Sequence, residues 1–345
     1  MIIPMARPRS SHTLLVKEKL IARLRDGYHP PGQRFFSNRA LAGHFGVSYQ
    51  TAHRLIQELE AEGWLERRAA AGTFVAGPAA ALRGAELVFH ERGRRAGSFG
   101  ARLAAELQPA LAQAGVATRM TWTADDATAA PNDRWLPVLW ECPRTLAALS
   151  ARRRFLIVLN DRPPPGLASS YVDSVSTDDF SGGVAAAELL RATGPARKLA
   201  VLAGPKADRR SQQRVAGFQA HAPQATVVWA KSWFAEDAAR VAPQVAGDRF
   251  AGVFCCNDRL AEALLAVGTS AAVVGFDDAP VAERLNLTTI AVPWAEIVAG
   301  AVEVVRRRLA GGTAAAAQLI FAPRPVMRAT LRRAGPAERP RVPGR

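Results

Sequence analysis

The spacing of apolar residues between positions 37 and 65 predicts two short helices joined by a tight turn. The first helix covers residues 38–45 and the second covers residues 49–62. Between them, Gly46 permits a left-handed turn at low steric cost. The second helix has one continuous apolar face, because its apolar residues recur at i, i+3, i+4 and i+7. They are Ala52, Leu55, Ile56 and Leu59.

Each predicted helix follows a serine, Ser37 or Ser48, whose hydroxyl can accept a hydrogen bond from the first turn. The polar face of the second helix carries only one acid, Glu58. Such a face fits the major groove of DNA, where the first residues of a helix reach the base edges. We expect Gln50 and His53 to read bases. The predicted DNA contacts of this helix and its cap are Ser48, Tyr49, Gln50, Thr51, His53 and Arg54.

A β-hairpin is predicted directly after the second helix, from short strands at residues 63–66 and 73–75. A pair of helices alone is also typical of a larger protein core, so the helices do not decide the function. The added hairpin favours a winged helix. Arg67 and Arg68 would then lie on the wing, where they can meet DNA phosphates.

These motifs resemble the DNA-binding domain of GntR-family transcription regulators over residues 13–77. The resemblance implies that Arg39 holds a DNA phosphate. The family often has basic residues at the positions of Tyr49 and His53, so the operator sequence does not transfer to this chain. The matching segments are GYHPPGQR (27–34), LA (41–42), FGVS (45–48), EGWL (62–65) and GTFV (72–75).

From residue 86 onward, continuous apolar strands alternate with helices. This alternation predicts an α/β domain with parallel sheets covered by helices on both sides. Ligands of such sheets bind at the carboxyl ends of the strands. The predicted strands are residues 86–90, 116–122, 135–140, 155–159, 198–202, 226–229, 252–255 and 272–275. The predicted helices are residues 98–114, 143–151, 180–192, 209–220, 236–245, 258–267 and 294–309.

Residues 86–331 resemble the effector domain of LacI-type repressors, which shares the two-lobed fold of periplasmic sugar-binding proteins. The matching segments are TDDFSGG (177–183), RVAGF (214–218), VFCCNDRLAEALL (253–265), VVGFDDAP (273–280) and LTTIAVPW (287–294). The resemblance implies crossovers between the lobes near residues 193, 291 and 318. It also implies that a small polar effector contacts Asp178, Arg214, Trp233, Asn257 and Asp277.

The chemistry of these residues suits a sugar or a sugar acid, since carboxylate, amide and guanidinium groups grip neighbouring hydroxyls and an aromatic ring covers C–H groups. Each residue also has a structural alternative. Asp178 and Asp277 are candidate helix caps, Asn257 a turn residue, Arg214 a partner of a surface acid, and Trp233 a core residue. The loop with Arg92, Arg94 and Arg95 would favour an acidic ligand if it faced the cleft, and otherwise lies on the surface.

The net charge of +15 divides into +5 for residues 1–80, +4 for residues 81–323 and +6 for residues 324–345. Basic ends beside a groove-reading helix favour binding to nucleic acid. We therefore expect five regions. They are a flexible basic arm (1–12), a winged-helix domain (13–77), a linker (78–85), a two-lobed effector domain (86–331) and a basic disordered tail (332–345).

Neither the three cysteines nor the six histidines have the spacing of a metal site or of a catalytic constellation. No metal or cofactor is therefore expected, and the chain is not expected to be an enzyme. Without a signal peptide or a membrane-length apolar run, a cytoplasmic protein is expected. Paired operator half-sites imply a homodimer. The alternative is a small-molecule-binding protein or enzyme whose N-terminal domain serves another interaction.

Overall fold

The structure is a computed structural model of the 345-residue chain. It contains a small N-terminal winged-helix domain and a larger α/β region built from two six-stranded sheets. No helix among the described residues has the length and apolar character needed to span a bilayer. The structure describes residues 11–25, 28–30, 32–61, 64–69, 71–76, 82–125, 134–150, 155–163, 171–192, 195, 198–312 and 314–331. Most of the predicted basic arm, half of the predicted linker and the tail lie outside these residues.

The N-terminal domain has three helices and a two-stranded hairpin. These are α1 (Ser11–Arg25), α2 (Asn38–Phe45), α3 (Tyr49–Ala61), β1 (Leu65–Arg68) and β2 (Gly72–Val75). As predicted, the hydroxyl of Ser37 accepts from Ala40 N at 3.2 Å, and that of Ser48 accepts from Thr51 N at 3.1 Å. Gly46 has a φ of +64°, the predicted left-handed turn. The core contains Val16, Leu20, Leu24, Phe35, Leu41, Ala52, Leu55, Ile56, Leu59, Leu65 and Val75.

The spacing of apolar residues at positions 13–26 predicts an amphipathic helix with Leu14, Leu15, Leu20, Ile21 and Leu24 facing inward. For Leu14 and Leu15 this prediction is wrong. Leu14 is 42% exposed and Leu15 is 62% exposed. The buried stripe of α1 is formed by apolar residues four positions apart, beginning at Val16. Beside this stripe, the buried Lys17 donates a 2.6 Å hydrogen bond to Glu58 of α3, which sets the rotation of α1.

The first sheet is parallel and has the order β13-β7-β6-β5-β3-β4. We call this sheet and its helices lobe 1. Its strands are β3 (Gly84–His90), β4 (Thr118–Thr123), β5 (Trp135–Trp140), β6 (Leu156–Leu159), β7 (Val172–Thr177) and β13 (Gln318–Phe321). Its helices are α4 (Phe99–Gln113), α5 (Pro143–Ser150) and α11 (Trp294–Leu309).

The second sheet has the order β14-β12-β11-β10-β8-β9, and only β14 is antiparallel to its neighbour. We call this sheet and its helices lobe 2. Its strands are β8 (Leu199–Ala203), β9 (Thr226–Trp229), β10 (Gly252–Cys255), β11 (Ala272–Asp277), β12 (Thr288–Ala291) and β14 (Arg324–Val326). Its helices are α6 (Asp179–Arg191), α7 (Arg209–His221), α8 (Ala235–Ala239), α9 (Asp258–Val267) and α10 (Pro280–Arg284).

The chain passes between the lobes at residue 178, at residues 292–293 and at residues 322–323. The first crossover was predicted near residue 193, and this prediction is wrong. Helix α6 packs on α7 and on the strands of lobe 2, so the chain has already changed lobes before α6 begins.

Two glycines explain why α6 belongs to lobe 2. A Cβ built on Gly183 would lie 2.1 Å from the carbonyl oxygen of Arg214. A Cβ built on Gly217 would lie 2.0 Å from the carbonyl oxygen of Phe180. The two helices therefore approach at a distance that only glycine allows, and the segments TDDFSGG and RVAGF pack against each other.

Several elements have no counterpart among the sequence predictions. Strand β7 has the sequence VDSVST and is fully buried. It was not predicted, because its polar residues interrupt the apolar pattern of a buried strand. The short edge strands β13 and β14 and the helix α10 were also missed. The predicted helix at residues 236–245 is instead the short helix α8 followed by a 3-10 turn at Ala242–Gln244.

Candidate functional site

A cavity of about 460 Å³ lies between the two lobes. Its walls come from the carboxyl ends of β5 and β6 in lobe 1 and of β10 and β11 in lobe 2, as expected for open α/β sheets. Its volume falls in the range of about 300–1,000 Å³ that is usual for small-molecule sites. It is lined by Arg92, Gly97, Ser98, Phe99, Ala101, Arg102, Ala105, Trp140, Glu141, Asn160, Arg210, Arg214, Ser232, Trp233, Phe234, Asn257, Asp258, Arg259, Asp277, Ala279, Pro280 and Trp294.

Arg214 is the buried centre of the lobe 2 wall. Its Nε donates to Asp179 Oδ1 at 2.8 Å, and its Nη1 donates to the carbonyl oxygen of Cys256 at 2.5 Å and to Asp277 Oδ1 at 3.4 Å. The guanidinium also stacks 3.6 Å from the centroid of the Phe276 ring. The side chain is therefore fixed on a buried partner rather than on a surface acid.

Asp277 ends β11 with a φ of +105°, and Asp278 follows with a φ of +51°. This backbone is strained for residues other than glycine, although Asp tolerates it better than most. Burial raises the pKa of Asp277 to about 6, although the nearby Arg214 lowers it. Ionisation of this buried carboxyl is therefore costly in the folded protein.

Asn257 lines the cavity but also serves the fold. Its Oδ1 caps α9 by accepting from Leu260 N at 2.8 Å, and its Nδ2 donates to the carbonyl oxygen of Trp233 at 3.0 Å. It thereby holds the segment of Trp233 against the start of α9. The Trp233 ring packs on Gly204, where a Cβ would lie 2.6 Å from ring atoms, and its Nε1 donates to Asp208 at 2.9 Å.

Asp178 is the one predicted effector contact that the structure does not place in the cavity. It caps α6, accepting from Ser181 N at 3.1 Å and from Ser181 Oγ at 2.7 Å. The neighbouring Asp179 points inward and pairs with Arg214 instead. Burial raises the pKa of Asp179, and Arg214 opposes that rise. The sequence TDDF contains both acids, and nothing local distinguishes the cap from the buried partner.

A network of ion pairs among residues that line the cavity joins the lobes. Glu141, which follows β5, accepts hydrogen bonds from Arg92 of lobe 1 and from Arg210 of lobe 2. Arg210 also binds Asp208 through two hydrogen bonds of 3.1 Å and 2.6 Å. Burial opposes ionisation of Asp208, but these bonds hold its pKa below the usual range. No local sequence pattern indicates a role for Glu141, because its partners are distant along the chain.

The arginine-rich loop contributes to the cavity in part. Arg92 lines it, whereas Arg94 lies 5.8 Å from the centroid of the Trp122 ring. Arg95 bridges the lobes by an ion pair with Glu236. The sequence also missed the aromatic residues of lobe 1 that line the cavity, namely Phe99, Trp140 and Trp294.

Lobe 1 also supplies Asn160, a lining residue that could have been found by analogy. It is the first polar residue after the apolar strand β6, just as Asn257 follows β10. Within the described ranges, no group of three or more His, Cys, Asp or Glu side chains could hold a metal. The three cysteines are buried, and burial raises the pKa of Cys142 and of Cys256 to about 12 each.

The predicted DNA-contacting residues form an exposed face on the N-terminal domain. Along α3, Tyr49, Gln50 and Arg54 are exposed, and Thr51 and His53 are partly exposed. Ser48 is exposed at the start of the helix, although its hydroxyl is used in capping. Asn38 of α2 donates to the hydroxyl of Tyr49 at 3.3 Å, which ties the two helices together at this face.

The basic residues around this face differ in their partners. Arg39, near the start of α2, is exposed and has no carboxylate within 4.0 Å among the described residues. On the wing, Arg67 lies 3.4 Å from Glu60, and Arg68 lies 2.6 Å from Glu66. Exposed pairs of this kind contribute only about 0–1 kcal/mol, so phosphates can replace those acids.

Changing Asp277 to Asn is expected to stabilise the protein above pH 6. Burial raises the pKa of Asp277 in the folded protein above its usual value of 3.8. The contribution of this carboxyl to the free energy of unfolding is therefore complete below about pH 4, and it is lost as the pH rises through about 6. Asn cannot ionise and tolerates positive φ, so the gain should be about 1–3 kcal/mol at pH 7.5 and near zero at pH 4. Urea unfolding at both pH values measures it, with Asp278→Asn as the control. A less stable Asp277→Asn variant at pH 7.5 would contradict the burial argument.

Comparison with known families and structures gives matches for both parts of the chain. Residues 13–75 match the model of bacterial regulatory proteins of the gntR family. Residues 187–331 match the model of the periplasmic binding protein-like domain. A comparison with curated proteins finds no match.

Solved structures with a similar fold include several transcriptional regulators. A LacI transcriptional regulator from a Rhodococcus species is 23% identical, with 71% of this chain and 97% of that chain covered and a TM-score of 0.60. A transcriptional regulator CelR–cellobiose complex is 19% identical over 93% of this chain and 99% of that chain, with a TM-score of 0.61. A LacI family regulator from Enterococcus faecium with bound ribose is 18% identical over 70% and 97%, with a TM-score of 0.60. At these identities the likeness shows the fold.

Proposed function

The chain joins a GntR-type DNA-binding domain to a periplasmic-binding-protein-like domain, and we propose that it is an effector-controlled repressor of transcription. The observation that carries the proposal is the combination of two sites in one chain. Helix α3 presents an exposed polar face, and a cavity between two lobes brings together Arg214, Trp233, Asn257 and Asp277. The first site reads DNA, and the second senses a small molecule.

The chemistry of the cavity supports a sugar-class effector. Asp277 offers acceptor oxygens, Arg214 offers guanidinium donors, and Trp233 offers an aromatic face. Similar folds with cellobiose and with ribose bound show that this architecture accommodates sugars in other proteins. The arrangement supports a binding site rather than an enzyme, and such a regulator acts in the cytoplasm, where the DNA is.

Control of DNA binding follows from closure of the lobes. The ion pairs of Glu141 and Arg95 join the two lobes, and a ligand in the cavity would add further contacts to both walls. A ligand that binds the closed arrangement more tightly shifts the population toward it. The three crossover segments can act as the hinge, because they are the covalent connections between the lobes.

We also propose that the active form is a homodimer. Helices α4 and α11 of lobe 1 form a groove whose lining is mostly small or apolar, including Ala105, Ala110, Val298 and Val302. Ile297, Ala301, Val304 and Val305 are buried in the core and cannot join this surface. A two-fold pairing through the groove would present two α3 helices to paired half-sites.

Replacing Arg39 with Ala tests the DNA-binding part of the proposal. Loss of one phosphate contact per subunit should weaken binding about tenfold at every sequence and reduce the slope of log K against log salt by about 1 per subunit. Fluorescence anisotropy with operator and unrelated duplexes measures both effects. Arg249→Ala, which removes an exposed arginine of lobe 2, is the control. An unchanged salt slope in Arg39→Ala would exclude the phosphate contact.

A further inference from the structure

Three buried polar groups, which belong to residues lining the lobe 1 side of the cavity, have no hydrogen-bond partner among the described residues. They are the side-chain amide of Asn160 and the indole nitrogens of Trp140 and Trp294. Asn160 is only 2% exposed, and its φ of +54° sets its side chain at the end of β6. An unmade hydrogen bond in such a place costs about 1–3 kcal/mol. Each of the three groups can donate, and Asn160 Oδ1 can also accept, so they suit a ligand that carries both acceptor oxygens and hydroxyls.

Arg259 lies in the lobe 2 wall of the cavity, and its positive charge has no carboxylate partner among the described residues. It is the second residue of α9 and is partly buried beside the cavity. Its Nη2 donates to the carbonyl oxygen of Ala96 at 3.4 Å, and its guanidinium lies 5.4 Å from the centroid of the Phe234 ring. No carboxylate of the described chain lies within ion-pair distance of it. The four other lining arginines all have one, in the pairs Arg92–Glu141, Arg102–Glu106, Arg210–Asp208 and Arg214–Asp179.

We infer that the effector is a hydroxylated organic anion whose charged group binds Arg259 and whose other oxygens accept hydrogen bonds from Asn160 and the two indoles. This inference rests on the proposed function, because it specifies the ligand of the same cavity. A carboxylate or phosphate would give Arg259 the charge-assisted partner that it lacks. A neutral sugar would satisfy Asn160 and the indoles but would leave Arg259 without a counter-charge.

The electrostatics of the surroundings agree with this assignment. Burial lowers the pKa of Arg259, and the nearby Arg95 lowers it further. The carboxylates of Asp277, Glu236 and Glu262 raise the pKa of Arg259 from a distance. Two of them have other arginine partners, because Asp277 contacts Arg214 and Glu236 contacts Arg95. An anion at Arg259 would also lie near the N-terminus of the ten-residue helix α9, whose dipole favours negative charge.

Matched pairs of a neutral sugar and its acid test the inference directly. The full-length protein is screened by thermal shift with glucose, gluconate, glucuronate and glucose 6-phosphate, and with galactose and galacturonate, at equal ionic strength. At least one acid should raise the melting temperature and bind at least tenfold more tightly than its neutral parent in calorimetry. The carboxylates and the phosphate distinguish the two sources of negative charge.

Variants of Arg259 then test whether this residue binds the charged group of the ligand. Arg259→Gln should reduce affinity for the acid at least tenfold and leave affinity for the neutral parent within twofold. Arg259→Lys should retain part of the preference, because the point charge remains without the planar fork. Arg249→Gln, the same change at an exposed position of lobe 2, should bind like the unmodified protein.

Three results would overturn the inference. They are equal binding of a neutral sugar and its acid, an acid preference that survives Arg259→Gln, and a panel in which no acid binds. DNA binding is measured on the same preparations. If DNA binding is intact, any of these results contradicts only the inference of an anionic effector. If the unmodified protein does not bind DNA, the proposed function itself is contradicted.

Discussion

Replacing Arg214 with Met is expected to abolish the response to effector and to lower the free energy of unfolding by about 3–5 kcal/mol at pH 8. The change leaves Asp179 and Asp277 in a buried site without their shared cation. It also removes the hydrogen bond to the carbonyl oxygen of Cys256 and the stacking on Phe276. The affected groups lie on α6, on β11 and in the segment after β10, so one side chain of α7 links three other parts of lobe 2.

The destabilisation should depend on pH in a defined direction. Burial raises the pKa of Asp179 and of Asp277, and Arg214 opposes both shifts. Without Arg214 both carboxyls should hold their protons to still higher pH, so the loss should be larger at pH 8 than at pH 5. Urea unfolding at the two pH values measures this, and anisotropy with operator DNA shows that the winged helix remains functional. An effector response that persists in a folded Arg214→Met variant would contradict the assignment of Arg214 to the site.

Changing Asp173 to Asn should lower the free energy of unfolding by a similar amount, about 3–5 kcal/mol, without altering the cavity. Asp173 is fully buried on β7. It accepts from Arg308 Nε at 2.6 Å and Nη2 at 2.9 Å, from Arg307 Nη2 at 2.9 Å and from the backbone N of Ala317 at 2.8 Å. These bonds fasten α11 and the segment leading into β13 to the sheet of lobe 1.

The control for this prediction is Glu296→Gln, whose partner Arg324 lies 3.2 Å away on the surface. Exposed pairs contribute little, so this change should cost no more than about 1 kcal/mol. Chemical unfolding of both variants measures the difference. Equal stability of the two variants would show that the buried pair around Asp173 contributes no more than an exposed one.

Local patterns explain where the sequence predicted the structure well. The bounds of α2 and the apolar face of α3 follow from the spacing of apolar residues and from capping serines, which act within a few positions. The continuous strands of the α/β region were found for the same reason. Strand β7 was missed because four of its six residues are polar, although all six are buried. Distant groups satisfy the carboxylate of Asp173, whereas the hydroxyls of Ser174, Ser176 and Thr177 have no hydrogen-bond partner among the described residues.

The candidate site was predicted in part. Arg214, Trp233, Asn257 and Asp277 line one cavity, but Asp178 caps a helix and the adjacent Asp179 is the buried partner. That difference depends on the rotation of α6 against α7, which is set by a glycine contact between helices. Such long-range packing leaves no periodic signal in the sequence. The hydrogen bond from Arg210 of lobe 2 to Glu141 of lobe 1 also depends on long-range packing, so no sequence pattern predicts it.

The central claim is that occupancy of the interlobe cavity controls DNA binding, and capture of genomic DNA tests it most directly. The full-length protein is incubated with fragments of its own genome at moderate ionic strength, with and without the sugars and sugar acids of the panel, and the bound fragments are sequenced. We predict a small set of fragments that share paired half-sites, whose recovery changes at least tenfold with one ligand and does not change in Arg214→Met. Recovery of no specific fragment, or of a set that no ligand alters, would contradict the claim.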